Sequence, residues 1–433
     1  MTGVRRVAAL CMIVLLACSG GDNKAPTTTT TTEAAGQASS SSGKRALPNG
    51  FLAIPAPAGI DPSFFGQNVS ATTTKIGRPV VAFSIALIDT STSQVVTATY
   101  DDATGDFKPS VKVATGTLAG TIQSVSITRE TPSGTLVLSW DDGGKIMAAQ
   151  SSDDGATWRT TTVADGSDPQ HSGRSPSVAA ANGKVAIAFI DSLGTPAIAT
   201  GELASTAFTI TQVPQTVGGP TPRDVPPTAA AAPDGTLGMV YVVSPAAGGA
   251  AAAYLPVGGT AAVVALDSNG MQNDLPSVGL SFTAKGPVVG ATFCREIAEA
   301  DACTYVAAST DGGASFGPPV KVPSDHNDGG GFVTRVAADE QGHGAFGYTP
   351  NRSTGDGACG KPKLAISADL SAWQTCSPDP DNTLGLEPGA PSLGLAPDGS
   401  VVVAFQQTSD VADAPAGVLV VIYPPIGSAS TSP

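Results

Sequence analysis

The chain has 433 residues, a net charge of −14, only 13% charged residues, and abundant Gly (51) and Pro (35). An acidic chain of this kind is a poor partner for nucleic acid or anionic lipid, so neither is expected as a ligand. Val, Thr, Ser and Ala dominate, which together with the Gly and Pro content points to many short strands and turns rather than helices.

The first element is an address rather than part of a fold. Arg5 and Arg6 precede an apolar run from Val7 to Ala17 that is too short to cross a bilayer comfortably. It ends in Leu15-Leu16-Ala17-Cys18, which resembles the lipobox of bacterial lipoproteins. The resemblance implies a signal peptide over 1–17, a lipid on Cys18, and a place in the bacterial cell envelope, at an outer membrane or the cell surface. Ser19 to Pro48 is rich in Thr, Ser, Ala and Gly and includes six consecutive Thr, Thr27 to Thr32. Such a stretch cannot bury a core, so 18–49 reads as a disordered tether spanning roughly 30 Å.

From 50 to 425 a pattern repeats: Gly, five residues, then an aromatic closing a β-branched run. The copies are Gly77…Phe83, Gly134…Trp140, Gly183…Phe189, Gly235…Tyr241, Gly342…Tyr348 and Gly399…Phe405, with a longer one at Gly286…Phe293. The aromatics are 49 to 57 residues apart. Seven units of that length, each with several short strands, predict one all-β domain, a seven-bladed β-propeller of four-stranded blades. First strands often open on Pro and a hydroxyl residue: Pro176-Ser177, Pro227-Thr228, Pro276-Ser277 and Pro391-Ser392. The last unit runs out after its third strand at Tyr423. Gly50 to Pro55 is therefore the expected closing strand, and 426–433 a flexible tail.

Two turns share one pattern, Ser151-Ser152-Asp153-Asp154-Gly155-Ala156-Thr157-Trp158 and Ser309-Thr310-Asp311-Gly312-Gly313-Ala314-Ser315-Phe316. The Asp can accept backbone N–H groups across the turn, Gly supplies a left-handed backbone angle, and the ring is left to bury itself. This pattern resembles the Asp-box of sialidase-like and sortilin-like propellers, also termed a BNR repeat, where the motif is structural. Ser151, Asp153, Gly155, Trp158, Ser309, Asp311, Gly313 and Phe316 are the matching positions. Degenerate copies lie at Ser367 to Trp373, Gly105-Asp106-Phe107 and Ser205 to Phe208, and the unit over 225–268 has none.

Of the six Cys, Cys11 leaves with the signal. In an oxidising compartment Cys294–Cys303 and Cys359–Cys376 are expected as two local disulfides. No C-x2-C pair supports a metal site. Asp325-His326-Asn327-Asp328-Gly329 lacks the spacing and closing Glu of a calcium loop, so no metal or cofactor is expected.

Propeller connectivity gathers the inter-blade loops and the turns between second and third strands on one face. Arg174, Arg223, Asp224, Asp274, Arg295, Glu296 and Glu387 fall there, with Asp141, Asp142, Asp191 and Arg352, and Arg335 joins them as a charge within a first strand. They define a candidate ligand site at the channel mouth, and the same residues also fit a merely solvated rim. A sialidase-like glycoside hydrolase would need three converging Arg, an acid and a Tyr activated by Glu. The Arg count permits this, but the Phe-Arg-Ile-Pro signature of that family is absent and the Tyr are scarce. The sequence therefore favours a monomeric, non-catalytic binding module for a protein, peptide or glycan, with sialidase-like hydrolysis as the alternative.

Overall fold

The computed structural model describes residues 51–55, 57, 65–87, 90–117, 124–213, 225–244, 250–259, 262–267, 277–292, 304–322, 334–348, 363–376, 391–407 and 417–426. These form seven antiparallel sheets, the blades of a β-propeller. Among the described residues the only helical element is a 3-10 turn at Pro169–His171.

Blade one holds Phe65–Thr73, Pro79–Leu87 and Thr92–Asp101, and its fourth position is split between Asp106–Phe107 and Val111–Thr117. Blade two runs Val125–Arg129, Leu136–Asp142, Lys145–Ser151 and Arg159–Ala164. Blade three is Gly173–Ala181, Lys184–Asp191, Pro196–Glu202 and Thr209–Gln212, and blade four is Thr228–Ala231, Leu237–Val243, Ala251–Pro256 and Val263–Asp267. Blade five is Ser277–Thr283, Gly286–Thr292, Thr304–Ala308 and Val320–Lys321. Blade six is Thr334–Ala338, Gly344–Tyr348, Lys363–Ser367 and Gln374–Cys376.

Blade seven has Ser392–Leu395, Val401–Gln407 and Gly417–Tyr423, and its outer strand is Leu52–Ala53 from the start of the domain. Leu52 pairs with Val420 and Ala53 with Leu419, and Ile54 N–H donates to the Val418 carbonyl at 3.0 Å. The expected closing strand is therefore in place, and the last sheet has no open edge there. Ile426 is buried with Phe405 and Leu419, so the packed chain reaches one residue past the expected boundary.

Each first strand lies beside the first strands of both neighbouring blades, which makes an inner ring around a channel. The core is divided into seven apolar clusters, one for each seam between adjacent blades. The repeat aromatics Phe83, Trp140, Phe189, Tyr241 and Phe405 are all buried there. Phe293 lies outside the described residues, as does the side chain of Tyr348.

The two recurrent turns fold alike. Ser151 Oγ donates to Asp153 Oδ1 at 2.8 Å and accepts Gly155 N–H at 2.9 Å, while Asp153 accepts both the N–H and the hydroxyl of Thr157. Ser309, Asp311, Gly313 and Ser315 repeat these bonds. Gly155 and Gly313 hold φ of +87° and +96°, a region that L side chains avoid. Trp158 and Phe316 turn inward, and Trp158 Nε1 donates to Thr97 Oγ1 of blade one at 3.2 Å.

Candidate functional site

The inner strands enclose a channel of about 990 Å3, within the range of ligand cavities. One layer of its wall is built from small hydroxyls. Ser70 Oγ accepts Ile127 N–H, Ser126 Oγ accepts Val178 N–H, Ser177 Oγ accepts Ala229 N–H, and Ser392 Oγ accepts Ala71 N–H, all at 2.9 to 3.1 Å. Thr228 Oγ1 instead donates to the Val278 carbonyl at 2.9 Å. In every case the hydroxyl of one blade holds the next blade's inner strand. The Pro-[Ser/Thr] openings visible in the sequence supply three of these hydroxyls, Ser177, Thr228 and Ser392.

Strand register identifies the layer in all seven blades. Ser70, Ser126, Ser177, Thr228, Ser277 and Ser392 each pair with the residue just before the repeat aromatic of the second strand. In blade six that place is taken by Arg335, which pairs with Gly347, next to Tyr348. Arg335 is half-buried in the channel wall, and its desolvation lowers its pKa. A guanidinium so far above neutrality stays charged even so. One cation thus interrupts a ring of six hydroxyls, close to the mouth where the chain enters the inner strands.

Arg174 lies at the same end, at the start of the blade-three inner strand, where it pairs with Ile190 and is half-buried. It does not line the channel, although its neighbours Ser175 and Pro176 do. Arg223, Asp224, Asp274, Arg295, Glu296 and Glu387 lie outside the described residues, as does Arg352. Two carboxylates counted with this mouth are committed to backbone. Asp191, 1% exposed, accepts Leu193 and Thr195 N–H at 2.9 and 2.8 Å. Asp141, 4% exposed, accepts Ser124 N–H at 2.8 Å. Both staple loops and neither offers a free charge to a ligand.

The opposite end of the channel also carries charge, which the sequence reading passed over. Arg129 there donates to Thr73 Oγ1 and the Thr74 carbonyl at 3.1 and 2.9 Å, tying blade two to blade one. Burial lowers its pKa. Glu130 is almost wholly buried and accepts Gly183 N–H from blade three at 3.0 Å, together with the N–H and hydroxyl of Ser133. Burial pushes this carboxyl up, yet the hydrogen bonds and the charge of Lys75 hold it below its ordinary value. Their only sequence signal is an Arg-Glu pair at the end of an inner strand in a chain with few charges.

His343 lies in the turn between first and second strands, and its Nδ1 is 2.7 Å from Asp339 Oδ2. His171 pairs likewise with Asp168 in an exposed inter-blade loop. Cys18, Cys294, Cys303 and Cys359 lie outside the described residues. Of Cys376 only the backbone is described, at the end of the blade-six outer strand.

No family model matches the sequence, and no curated protein matches it. Solved structures do. The polysaccharide lyase Uly1 superposes with a TM-score of 0.51 at 8% identity, over 83% of this chain and 90% of that one. A protein of unknown function from Dyadobacter fermentans gives a TM-score of 0.49 at 14% identity, over 86% and 97%. NanB sialidase from Streptococcus pneumoniae gives 0.47 at 11% identity, over 88% and 71%. At these identities the likeness is one of fold alone.

Proposed function

We propose that this protein is a binding module of the bacterial cell envelope that holds an anionic group of a peptide or glycan ligand in its channel through Arg335. The observation that carries the reading is the break in the hydroxyl ring. Six blades put a small, bonded hydroxyl where the seventh puts a guanidinium, and a guanidinium presents a planar fork of donors suited to a carboxylate. Arg174, with Arg223, Asp224, Asp274, Arg295, Glu296 and Glu387, would supply the mixed charge of the mouth around it, favouring a zwitterionic ligand over a polyanion.

Anchoring rests on Arg5, Arg6, the apolar run to Ala17 and the lipobox-like Leu15-Leu16-Ala17-Cys18. A palmitate analogue fed to cells should label the wild type and not Cys18→Ser. Label persisting in the variant overturns the lipid anchor.

The Asp-box resemblance of 151–158 and 309–316 raises sialidase-like hydrolysis, and two of the described tyrosines are unsuited to it. Burial pushes Tyr241 and Tyr254 up to about 12, so neither is a phenolate nucleophile at neutral pH. Purified protein should release no sialic acid from a synthetic sialoside. Arrays of acidic glycans and of peptides, probed with the wild type, Arg335→Ser and Arg174→Ala, test the binding reading. Arg335→Ser installs the residue of five sister blades, so lost binding in a folded variant supports the site. Turnover of a sialoside that Arg335→Ser abolishes would establish the hydrolase instead.

A further inference from the structure

Six of the seven blades place an aromatic ring at or just ahead of the outer strand. Phe107, Trp158 and Phe208 do so in blades one to three, Phe316 and Trp373 in blades five and six, and Phe51 in blade seven. Each ring packs into the seam with the preceding blade. Trp158 packs against the cluster that holds Val80 and Val95 of blade one, Phe316 meets the ring of Tyr254 of blade four, and Trp373 shares a cluster with Val288 of blade five.

Blade four breaks the pattern. The residue ahead of its outer strand Val263–Asp267 is Ala262, and the turn before it, beginning Val257-Gly258-Gly259, carries no ring. The seam between blades three and four holds a second cavity, of about 830 Å3, and Ala262 packs into the same seam. Register shows that this cavity lies where the missing ring belongs. Ile198 and Thr200 of blade three line it and stand where Thr97 and Thr99 stand in blade one. Thr97 accepts Trp158 Nε1, and Thr99 donates to the carbonyl of Asp154 in the same turn, at 2.9 Å. Leu237 and Met239 supply the apolar floor, as Leu136 and Leu138 do beneath Trp158. At the rim Lys184 and Glu202 are exposed cross-strand partners.

We propose that this slot is a second binding site, which receives one aromatic side chain of a partner polypeptide. The sister seams show which group fits: a phenyl or indole ring, its edge toward Ile198, the counterpart of Thr97, above the floor of Leu237 and Met239. The opposite charges of Lys184 and Glu202 select a ring flanked by one acidic and one basic residue. This chain's own tether does not supply the ring, because residues 1–50 contain no Phe, Tyr or Trp.

The test uses the full chain with 13C-methyl methionine. N-acetyl-tryptophanamide should shift the Met239 methyl saturably and leave Met147, in blade two, unmoved. N-acetyl-leucinamide should shift neither. The capped tripeptide acetyl-Asp-Trp-Lys-amide should bind about threefold tighter, the scale of weak surface ion pairs. Ala262→Trp fills the slot from within, so it should abolish the shift and raise the unfolding temperature. Thr200→Phe fills it from the opposite wall and serves where Ala262→Trp does not fold. An unmoved Met239, an equal response to the leucine compound, or a shift surviving in the filled variants overturns the site. Equal affinity for the amide and the tripeptide overturns its polypeptide specificity.

Discussion

Ser177 Oγ accepts the backbone N–H of Ala229 across the seam between blades three and four, at 3.0 Å. The donor's residue is 7% exposed, so its N–H has no ready access to water. Removing the hydroxyl leaves a buried donor unsatisfied, which costs about 1–3 kcal/mol. Ser177→Ala should therefore lose stability on that scale in urea unfolding, and Ser177→Thr should keep most of it. Equal midpoints for Ser177→Ala and the wild type would show that the hydroxyl layer lines the channel without holding the blades.

Tyr254 is the opposite case. It is fully buried between Phe282 and Phe316, with ring centroids 6.3 and 5.8 Å away, and its hydroxyl finds no hydrogen-bond partner. Tyr254→Phe keeps the ring and removes the orphaned group, so stability should be unchanged or rise by about 1 kcal/mol. A loss beyond about 1 kcal/mol would mean that the hydroxyl is satisfied in solution, by water for example.

Hydrogen bonds from the Ser315 hydroxyl and N–H, and from Ser309, hold the Asp311 carboxyl down at about 2. Because the folded value is depressed, the turn's contribution is fully present above about pH 4, the range of a free Asp. It is lost as pH falls through about 2. The stability difference between the wild type and Asp311→Asn should be constant from pH 7 to about pH 5 and shrink below that. A difference that stays flat down to pH 2 would mean that the turn does not depend on the ionised carboxylate.

The fold was legible because its determinants are local and repeat. Gly183…Phe189 and Gly399…Phe405 mark second strands on their own, and a final unit lacking an outer strand calls for Gly50 to Pro55. Pro176-Ser177 and Pro391-Ser392 were visible as strand openings, but their role was not. Each hydroxyl serves a partner about 50 residues or more away, on a neighbouring blade, and only the register reveals that. Arg335 stood out as a charge within a first strand, yet its place in the hydroxyl layer needed the same cross-blade alignment. The lack of an aromatic turn over 225–268 was apparent in the sequence. That it leaves a cavity depends on how Ile198 and Met239 face each other across the seam. Asp191 and Asp141 resembled mouth charges because sequence position does not distinguish a carboxylate facing a ligand from one bonded to its own loop.

Arg335 is the residue on which the proposed function turns, and one comparison addresses it directly. Wild type and Arg335→Ser are applied side by side to arrays of acidic glycans and peptides, with unfolding midpoints measured in parallel. Arg335→Ser should unfold within about 1 kcal/mol of the wild type, because it restores the hydroxyl found in sister blades. It should also lose at least about tenfold in affinity for every ligand the wild type holds, the cost of one charge-assisted pair. Ligands bound equally by a folded Arg335→Ser, or arrays on which the wild type binds nothing, would contradict a channel site built on this arginine.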